Sequence, residues 1–302
     1  SQIMALCISN ALKLSVRPSL LALCQQQSAR CLSNKQDELI LDFNRCPGVC
    51  VALLNRPQAK NALSKSLIGA LESAFAAVRS QRALRALVFG SAVPGVFCAG
   101  ADLKERATMP ESDVGPFVAK ARDLLQELAE LPLPTVAAID GAALGGGLEL
   151  ALACDLRVAS DDARLGLVET RLAIIPGAGG TQRLPSVLGP SLAKELIYTA
   201  RVLTGAEAQT LGLVSRSVPQ QQGANGFAAL ASAIELASEI AKNGPVALSM
   251  AKKAIDNGMS AGSMRAALDV EANCYARVIP TKDRLEGLRA FKEKRTPVYT
   301  GE

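Results

Sequence analysis

The sequence contains no histidine and no tryptophan among its 302 residues. The absence of imidazole excludes Ser-His-Asp and Cys-His nucleophilic catalysis, and it excludes zinc or haem held by histidine. Acid–base chemistry must therefore use Asp, Glu, Lys, Tyr or Cys. Aromatic residues make up only 3% of the chain and charged residues 20%, whereas hydrophobic residues make up 49%. This composition predicts a globular protein with an aliphatic core.

Acidic residues are absent from residues 1–36, which contain four basic residues: Lys13, Arg17, Arg30 and Lys35. Without those four, the remaining 29 basic residues nearly balance the 28 acidic ones, so the net charge of +5 is mostly N-terminal. A basic segment rich in serine and leucine is typical of a mitochondrial transit peptide, and it predicts the mitochondrial matrix. A secretory signal is the alternative interpretation of this segment. The apolar runs of residues 1–36 are too short to span a bilayer, so we expect no membrane association.

Five cysteines follow this leader, at positions 46, 50, 98, 154 and 274. Cys46 and Cys50 are close in sequence, but no second pair or histidine completes a zinc site. We therefore expect thiols buried as small apolar groups and no metal.

Beyond residue 37, apolar runs alternate with segments of helical periodicity. Strands are predicted at 49–55, 84–90, 135–140, 156–159 and 164–166. Helices are predicted at 64–80, 111–131, 147–153, 190–201, 205–211, 226–242, 246–258, 262–277 and 281–294. The first part of the chain is thus predicted to be α/β and the tail to be all-helical.

Two segments rich in small residues follow predicted strands. Residues 140–149 read Asp-Gly-Ala-Ala-Leu-Gly-Gly-Gly-Leu-Glu and lead into a helix, and residues 97–103 read Phe-Cys-Ala-Gly-Ala-Asp-Leu. Neither a phosphate-binding loop nor a dinucleotide fingerprint fits their spacing. Small residues expose backbone N–H groups, which stabilise an oxyanion that forms during a reaction. A tight packing turn explains either segment alone, but the pair favours a two-part oxyanion hole.

These segments resemble the crotonase (enoyl-CoA hydratase/isomerase) superfamily. The resemblance is carried by Phe97–Leu103, Ala143–Glu149, Glu169, Ile175–Leu184 and Gly287–Arg295, and it covers about residues 37–302. It implies an α/β fold, a spiral of β-β-α repeats followed by a C-terminal helical trimerisation region. The implied division is a spiral core at 37–243, which contains the active site, and a helical region at 244–302. Family members form trimers, commonly paired into hexamers.

The resemblance also implies roles for individual residues. The backbone N–H groups of Ala101 and Gly146 would polarise a thioester carbonyl. Glu149 and Glu169 match the two hydratase carboxylates, with Glu149 as the base that activates water and Glu169 as the proton donor to the α-carbon. Gly177 would lie at a helix N-terminus beside the water. An isomerase needs only one base, so the presence of both carboxylates favours hydration.

Coenzyme A would enter as the substrate thioester, so no resident cofactor is expected. The family positions for the CoA chain are Lys60 and the segment Ala99, Gly100, Ala101, Asp102 and Leu103. Phe291 and Lys294 are candidates for an adenine or phosphate contact, across a subunit boundary or on an ordinary amphipathic surface helix. Arg106 is a candidate, by position, for a cation facing a distal carboxylate of the acyl group.

Within the family, the resemblance favours hydration of 3-methylglutaconyl-CoA in leucine degradation, with straight-chain enoyl-CoA hydration as the alternative. Binding of AU-rich RNA is an alternative of another class, because a lysine-rich helix is implicated in it in one related hydratase. Residues 60–85 here contain only Lys60, Lys65, Arg79, Arg82 and Arg85 as basic residues. That sparse pattern disfavours RNA binding. A non-catalytic scaffold is disfavoured because both glutamates and both amide segments are present.

Overall fold

The computed structural model describes residues 37–220 and 226–302. The transit peptide predicted for residues 1–36 lies outside the described residues. The first elements are an antiparallel hairpin and a helix: β1 (Leu39–Cys46), β2 (Val49–Leu54) and α1 (Lys65–Ser80). Ser64 caps α1, because its Oγ accepts a hydrogen bond of 3.1 Å from the Leu67 N–H. This is the helix that the sequence predicts from residue 64 onward.

Three consecutive β-β-α units follow. The first contains β3 (Ala86–Ser91), β4 (Gly95–Cys98), α2 (Leu103–Ala107) and α3 (Glu111–Ala129). The second contains β5 (Thr135–Ile139), β6 (Gly141–Leu144) and α4 (Gly146–Ala153). The third contains β7 (Leu156–Ser160), β8 (Arg164–Gly166), a 3-10 turn (Glu169–Leu172), α5 (Gly180–Leu188) and α6 (Pro190–Thr199).

The two strands of each unit enter different sheets. The first strands pair in parallel in a six-stranded sheet of order β1-β2-β3-β5-β7-β10. The second strands pair in parallel in a four-stranded sheet of order β4-β6-β8-β9. The closing strands are β9 (Leu203–Thr204) and β10 (Arg216–Val218), separated by α7 (Gly205–Thr210). This repetition confirms the predicted fold of β-β-α repeats.

Four helices end the chain: α8 (Ala228–Ile240), α9 (Pro245–Met259), α10 (Met264–Val278) and α11 (Lys282–Glu293). Helix α8 packs on the six-stranded sheet through small and apolar side chains. Asp140, at the end of β5, accepts hydrogen bonds from the N–H groups of Ala229 and Leu230 in the first turn of α8. Helix α9 buries none of its residues, and α10 buries only Cys274. The last helices therefore leave most of their apolar surface uncovered in the single chain.

The core is aliphatic, as the composition predicts, with Phe75, Phe89 and Phe97 among its few aromatic side chains. Within the described part of the chain, no helix combines the length and the apolarity needed to cross a bilayer. The predicted division of the chain at residue 243 stays a prediction.

Several features of the fold differ from the sequence prediction. The glycine-rich turn predicted after residue 140 contains the strand β6, whose Gly-Ala-Ala-Leu sequence lacks the β-branched residues that mark strands. The tail is not all-helical, because β10 joins the edge of the large sheet beside β7. Strands β1 and β4 were not predicted either; β1 carries polar residues in an irregular order, and β4 is only four residues long.

Candidate active site

The segment at 99–102 runs parallel to residues 60–63 and is fixed to it by backbone hydrogen bonds. Three such bonds of 2.7–3.1 Å join the two segments, and Leu63 pairs with Ala101 as a parallel bridge. The Ala101 N–H donates no hydrogen bond to any residue that the structure describes. A rigid backbone thus holds one unsatisfied amide in place.

A second unsatisfied amide lies next to it. Gly146 is the first residue of α4, and its N–H has no acceptor among the described residues. A Cβ atom built on Gly146 would lie 3.7 Å from the Ala101 nitrogen, which shows how near the two amides are. The neighbouring Gly147 permits this approach, because a Cβ there would lie 2.1 Å from the Cys98 carbonyl oxygen. The structure therefore brings together the two amides that the sequence predicts as an oxyanion hole.

Glu149 lies in the first turn of α4 and is 3% exposed. Its Oε1 accepts two hydrogen bonds of 2.8 Å, from the N–H groups of Ala178 and Gly180. Burial raises the pKa of Glu149, while these two N–H groups and the charges of Arg183 and Arg122 act in the opposite direction. The carboxylate is thus buried, oriented and stabilised on one oxygen.

Glu169 lies in the 3-10 turn that follows β8 and is half-buried. A Cβ built on Gly145 would lie 3.2 Å from its Oε1, so the carboxylate contacts the turn that begins α4. Its Oε2 is buried and has no hydrogen-bond partner in the described chain. Burial, with a further contribution from the charge of Glu149, raises the pKa of Glu169 to about 7. Two carboxyl groups in one site, both with raised pKa values, suit paired acid and base roles.

Gly177 lies beside this pair, but not at a helix N-terminus as the sequence predicts. Gly179 caps α5, which begins at Gly180, so Gly177 belongs to the preceding loop. Its carbonyl oxygen accepts a hydrogen bond of 3.0 Å from Arg122 Nε, and its own N–H has no acceptor among the described residues. The helix begins later because the glycine at 179 has a φ of 110°, which a helix cannot continue.

Asp102, predicted at the CoA chain, directs its carboxylate into the protein. Oδ1 accepts the N–H groups of Lys104 and Glu105 and caps α2, and Oδ2 pairs with Arg56 at 2.8 Å. The hydrogen bond from Arg56 is the main reason that the pKa of Asp102 is lowered. Asp102 therefore fixes the end of the segment that presents the Ala101 amide.

Arg56 and Asn61 were not predicted from the sequence. Asn61 is fully buried with a φ of 56°. Its Oδ1 accepts the Arg56 N–H, and its Nδ2 donates to Ser91 Oγ and to the Phe97 carbonyl. These bonds connect the 56–61 segment to β3 and to β4, which leads into the segment that presents the Ala101 amide. A buried asparagine in left-handed conformation has no distinct signal in a single sequence.

Of the remaining predicted CoA residues, Ala99 is partly buried and Gly100 is buried, and the other four are exposed. Lys60 has an exposed side chain, while its carbonyl accepts the Ala99 N–H. Leu103 begins α2 with an exposed side chain. Phe291 is 87% exposed near the end of α11, and Lys294 caps that helix. No hydrogen bond or ion pair between described residues joins Phe291 or Lys294 to the two glutamates.

Across the described ranges, no cluster of three or more Cys, Asp or Glu side chains is placed to hold a metal ion.

Comparisons with known proteins identify the family of the chain. Residues 44–302 match the family model described as enoyl-CoA hydratase/isomerase. Human "Methylglutaconyl-CoA hydratase, mitochondrial" is 58% identical over 255 residues, which are 84% of this chain and 74% of that protein. Bovine "Enoyl-CoA hydratase domain-containing protein 2, mitochondrial" is 53% identical over 84% of this chain and 85% of that protein.

A solved structure shows the same fold. The crystal structure of an enoyl-CoA hydratase from Bacillus anthracis superimposes with a TM-score of 0.84 at 47% identity, and the match covers 88% of this chain and all of that one. The family match spans nearly the whole described chain, both strands of each repeat and every segment of the site. The chain therefore belongs to the enoyl-CoA hydratase/isomerase family of enzymes, the crotonase superfamily.

Proposed function

We propose that this enzyme adds water across the double bond of a 2-enoyl-CoA. The observation that carries the proposal is the second carboxylate, Glu169, whose unpartnered buried oxygen lies in the same site as Glu149. Shifting a double bond within a substrate requires one base that moves one proton. Adding water requires one group to remove a proton and another to supply one, and the two glutamates satisfy that requirement.

The thioester oxygen would accept hydrogen bonds from the N–H groups of Ala101 and Gly146. Glu149 removes a proton from water as the water oxygen bonds to the β-carbon, and the electrons of the double bond move onto the thioester oxygen. The two amides stabilise the resulting enolate. Glu169 then gives its proton to the α-carbon, and the carbonyl re-forms. The unpaired Gly177 N–H is a further donor for the water. No cofactor is required, because coenzyme A is part of the substrate.

The environments of the two glutamates support this division of roles. Burial raises the pKa of Glu149, but two N–H donors and two nearby arginines oppose this effect and so support the ionised form that a base requires. Glu169 has no comparable donors, and its pKa of about 7 leaves a large fraction of it protonated at neutral pH, as an acid requires. After one turnover the single proton has moved from Glu169 to Glu149. The pair therefore works with one shared proton, in both directions of the reaction.

For the acyl group we propose 3-methylglutaconyl-CoA, supported by the 58% identity to a protein of that name. Its distal carboxylate needs a cation, and Arg106 supports this choice. The Arg106 guanidinium lies 5.4 Å from the ring centre of Phe117 and forms no ion pair with any described residue. Arg106 is one helical turn beyond Asp102, so it is close to the Ala101 amide along the chain. A straight-chain enoyl-CoA remains the alternative substrate.

The test is a substrate panel with the purified protein lacking residues 1–36. Rates are measured for 3-methylglutaconyl-CoA, crotonyl-CoA and longer straight-chain enoyl-CoAs. We expect the highest kcat/KM for 3-methylglutaconyl-CoA. A preference for crotonyl-CoA would overturn the substrate and leave hydration intact, and the absence of any hydration would overturn the reaction.

A variant tests the carboxylate contact separately. We expect Arg106→Gln to lower kcat/KM for 3-methylglutaconyl-CoA about 10- to 100-fold, the usual cost of one charged hydrogen bond. Its activity with crotonyl-CoA, which has no distal carboxylate, should not change. Lys104→Gln is the matched control, because it removes an exposed cation from the same short helix. An equal loss with both substrates would show that Arg106 does not recognise the carboxylate.

We also propose a homotrimer or a pair of trimers in the mitochondrial matrix. Exposed apolar side chains on α9, α10 and α11 support association: Ile255, Met259, Leu268, Tyr275, Leu288 and Phe291. In such an assembly Phe291 and Lys294 would reach a CoA bound to a neighbouring subunit. The basic leader and the mitochondrial relatives support the matrix. Light scattering should give a mass that is a multiple of three subunits.

RNA binding is not favoured by the charges near α1. Arg79 pairs with Glu127 at 2.7 Å, and Arg85 donates a hydrogen bond to the Tyr299 carbonyl. Glu72, in the middle of α1, pairs with Lys120. Few cations are therefore left on this face for phosphates, and salt-dependent retention of AU-rich RNA would be needed to revive this alternative.

A further inference from the structure

Arg122 lies on α3 and contacts the loop that orients Glu149. Its Nε donates a hydrogen bond of 3.0 Å to the carbonyl oxygen of Gly177. Val118, one turn earlier on α3, borders the same glycine, because a Cβ there would lie 2.8 Å from Val118 Cγ1. Arg122 is exposed and forms no ion pair within the described ranges. The one hydrogen bond that its side chain forms with a described residue is thus to the backbone of this loop.

The contacted carbonyl and a donor to Glu149 belong to the same peptide group. The Gly177 C=O and the Ala178 N–H are joined in one plane and point in opposite directions. At one end the oxygen binds Arg122 Nε at 3.0 Å, and at the other the N–H donates to Glu149 Oε1 at 2.8 Å. A donor on the oxygen polarises the peptide and strengthens donation from the nitrogen. A single peptide therefore connects the cation to the carboxylate.

The next peptide is held in a similar way by a second arginine. Arg183 Nη1 donates to the Ala178 carbonyl at 3.0 Å, and its Nη2 donates to Gln126 Oε1 on α3 at 2.9 Å. The guanidinium lies against Gly179, where a Cβ would come within 2.2 Å of Nη1 and where φ is 110°. Only glycine permits this approach. Two arginines from two helices thus fix two consecutive peptides beside Glu149.

We propose that Arg122 is a positioning residue that orients and polarises the 177–178 peptide, and through it holds Glu149 in the geometry of a base. The proposal rests on the proposed function for its kinetic consequences. The groups around Glu149 are Glu169 from the 3-10 turn, Arg183 from α5 and Arg122 from α3. Arg122 is the only one of these three with an exposed side chain. Its replacement should therefore leave the fold intact.

The test compares Arg122→Met with the control Lys120→Met. The control also removes an exposed cation from α3, but Lys120 pairs with Glu72 and not with the 177–178 peptide. We expect Arg122→Met to lower kcat about 10- to 100-fold, the scale expected when a catalytic group is misplaced. KM and the urea midpoint should stay near those of Lys120→Met. The acidic limb of the pH profile should move to higher pH, because Glu149 loses a nearby positive charge. Arg122→Lys should restore the acidic limb to its wild-type pH, because lysine keeps the positive charge. It should restore only part of kcat, because lysine lacks the planar guanidinium with its fixed donors.

Three results would overturn the proposal. The first is an unchanged kcat and pH profile in Arg122→Met. The second is a rise in KM at constant kcat, which would indicate that Arg122 contacts the substrate. The third is a loss of activity that matches a loss of stability. Carbon-13 NMR titration of the Glu149 carboxyl, assigned with Glu149→Gln, gives a readout without substrate. If the wild type hydrates no enoyl-CoA while Glu149 still titrates higher in Arg122→Met, the proposed function fails and the positioning role stands.

Discussion

The regions around the two glutamates are built differently. Glu149 lies in the first turn of α4, and its Oε1 is bound by two backbone N–H groups from a loop that two arginines support. Glu169 lies in a 3-10 turn of four residues, and its buried Oε2 has no partner among the described residues. In the first region burial raises the pKa of the carboxyl group, and two N–H donors and two arginines oppose that effect. In the second region burial raises the pKa of a carboxyl group with an unpartnered oxygen. Under the proposed mechanism, these different surroundings would adapt one residue type to two roles.

The largest expected effect is a loss of kcat that is similar for both glutamates. Glu149→Gln and Glu169→Gln should each lower kcat for enoyl-CoA hydration by about 10²–10⁴-fold, the usual contribution of a positioned acid or base. Both variants keep the shape of the side chain, so their circular dichroism should match the wild type. Stopped or coupled assays of hydration measure the loss. Near-normal turnover in either variant would remove that residue from the mechanism.

Replacing each glutamate by alanine should lower the free energy of unfolding by different amounts. Glu149→Ala leaves the N–H groups of Ala178 and Gly180 without their acceptor, and we expect a loss of about 2–4 kcal/mol in the free energy of unfolding. Glu169→Ala removes a buried oxygen that already lacks a partner, so its stability should stay within about 1 kcal/mol of the wild type. Urea titrations of both variants measure the difference. Equal losses would mean that Glu169 has a structural role as large as that of Glu149.

Glu169 should contribute a large part of the pH dependence of stability. Its pKa in the folded state, about 7, lies above the unfolded value of 4.5. The folded state therefore binds more protons between these values, and the free energy of unfolding falls as the pH rises through this window. Asp140, whose pKa burial raises to about 6, adds a decline at lower pH. Urea midpoints at pH 5, 6, 7 and 8 should thus fall less steeply in Glu169→Gln than in the wild type. The chain has no histidine to titrate in this range.

The smallest expected effect concerns the support of the Glu169 turn. Thr170 Oγ1 donates a hydrogen bond of 2.8 Å to the Ile197 carbonyl on α6, and this bond holds the turn. Thr170→Val keeps the shape and removes the bond, which should cost about 1 kcal/mol. We expect kcat to fall several-fold, because Glu169 becomes less well oriented. Ser238→Ala is the control, since it removes a similar hydroxyl-to-carbonyl bond within α8. A control that loses as much activity would show that the effect is not specific to this turn.

The sequence predicts most of the fold because its signals are local. The start of α1 depends on Ser64 three residues before the N–H that it caps, and the C-terminal helices end within two residues of the predicted positions. Strand β6 was interpreted as a turn, because its pairing with β4 and β8 lies in distant parts of the chain. Strand β10 was missed for the same reason, since only its pairing with β7 makes it a strand.

The residues of the candidate site also fall into those that the sequence predicts and those that it does not. Glu149 and the amide segments were found because each motif is contiguous in the sequence. Asn61, Arg56 and Arg122 were not found, because their roles depend on contacts with residues far away in the chain. Arg122 in particular lies in an ordinary amphipathic helix, where a single sequence gives no reason to select it.

The bonds that fix the site close long loops of chain. The Arg56–Asp102 pair joins positions 46 residues apart, and the bonds that the Ala178 and Gly180 N–H groups donate to Glu149 span 29 and 31 residues. Contacts of this separation form only after the intervening strands and helices have paired, because the entropy of loop closure must be offset first. During refolding we therefore expect helical circular dichroism to recover before hydration activity. The oxyanion hole and its base would be among the last parts of the molecule to reach their native geometry.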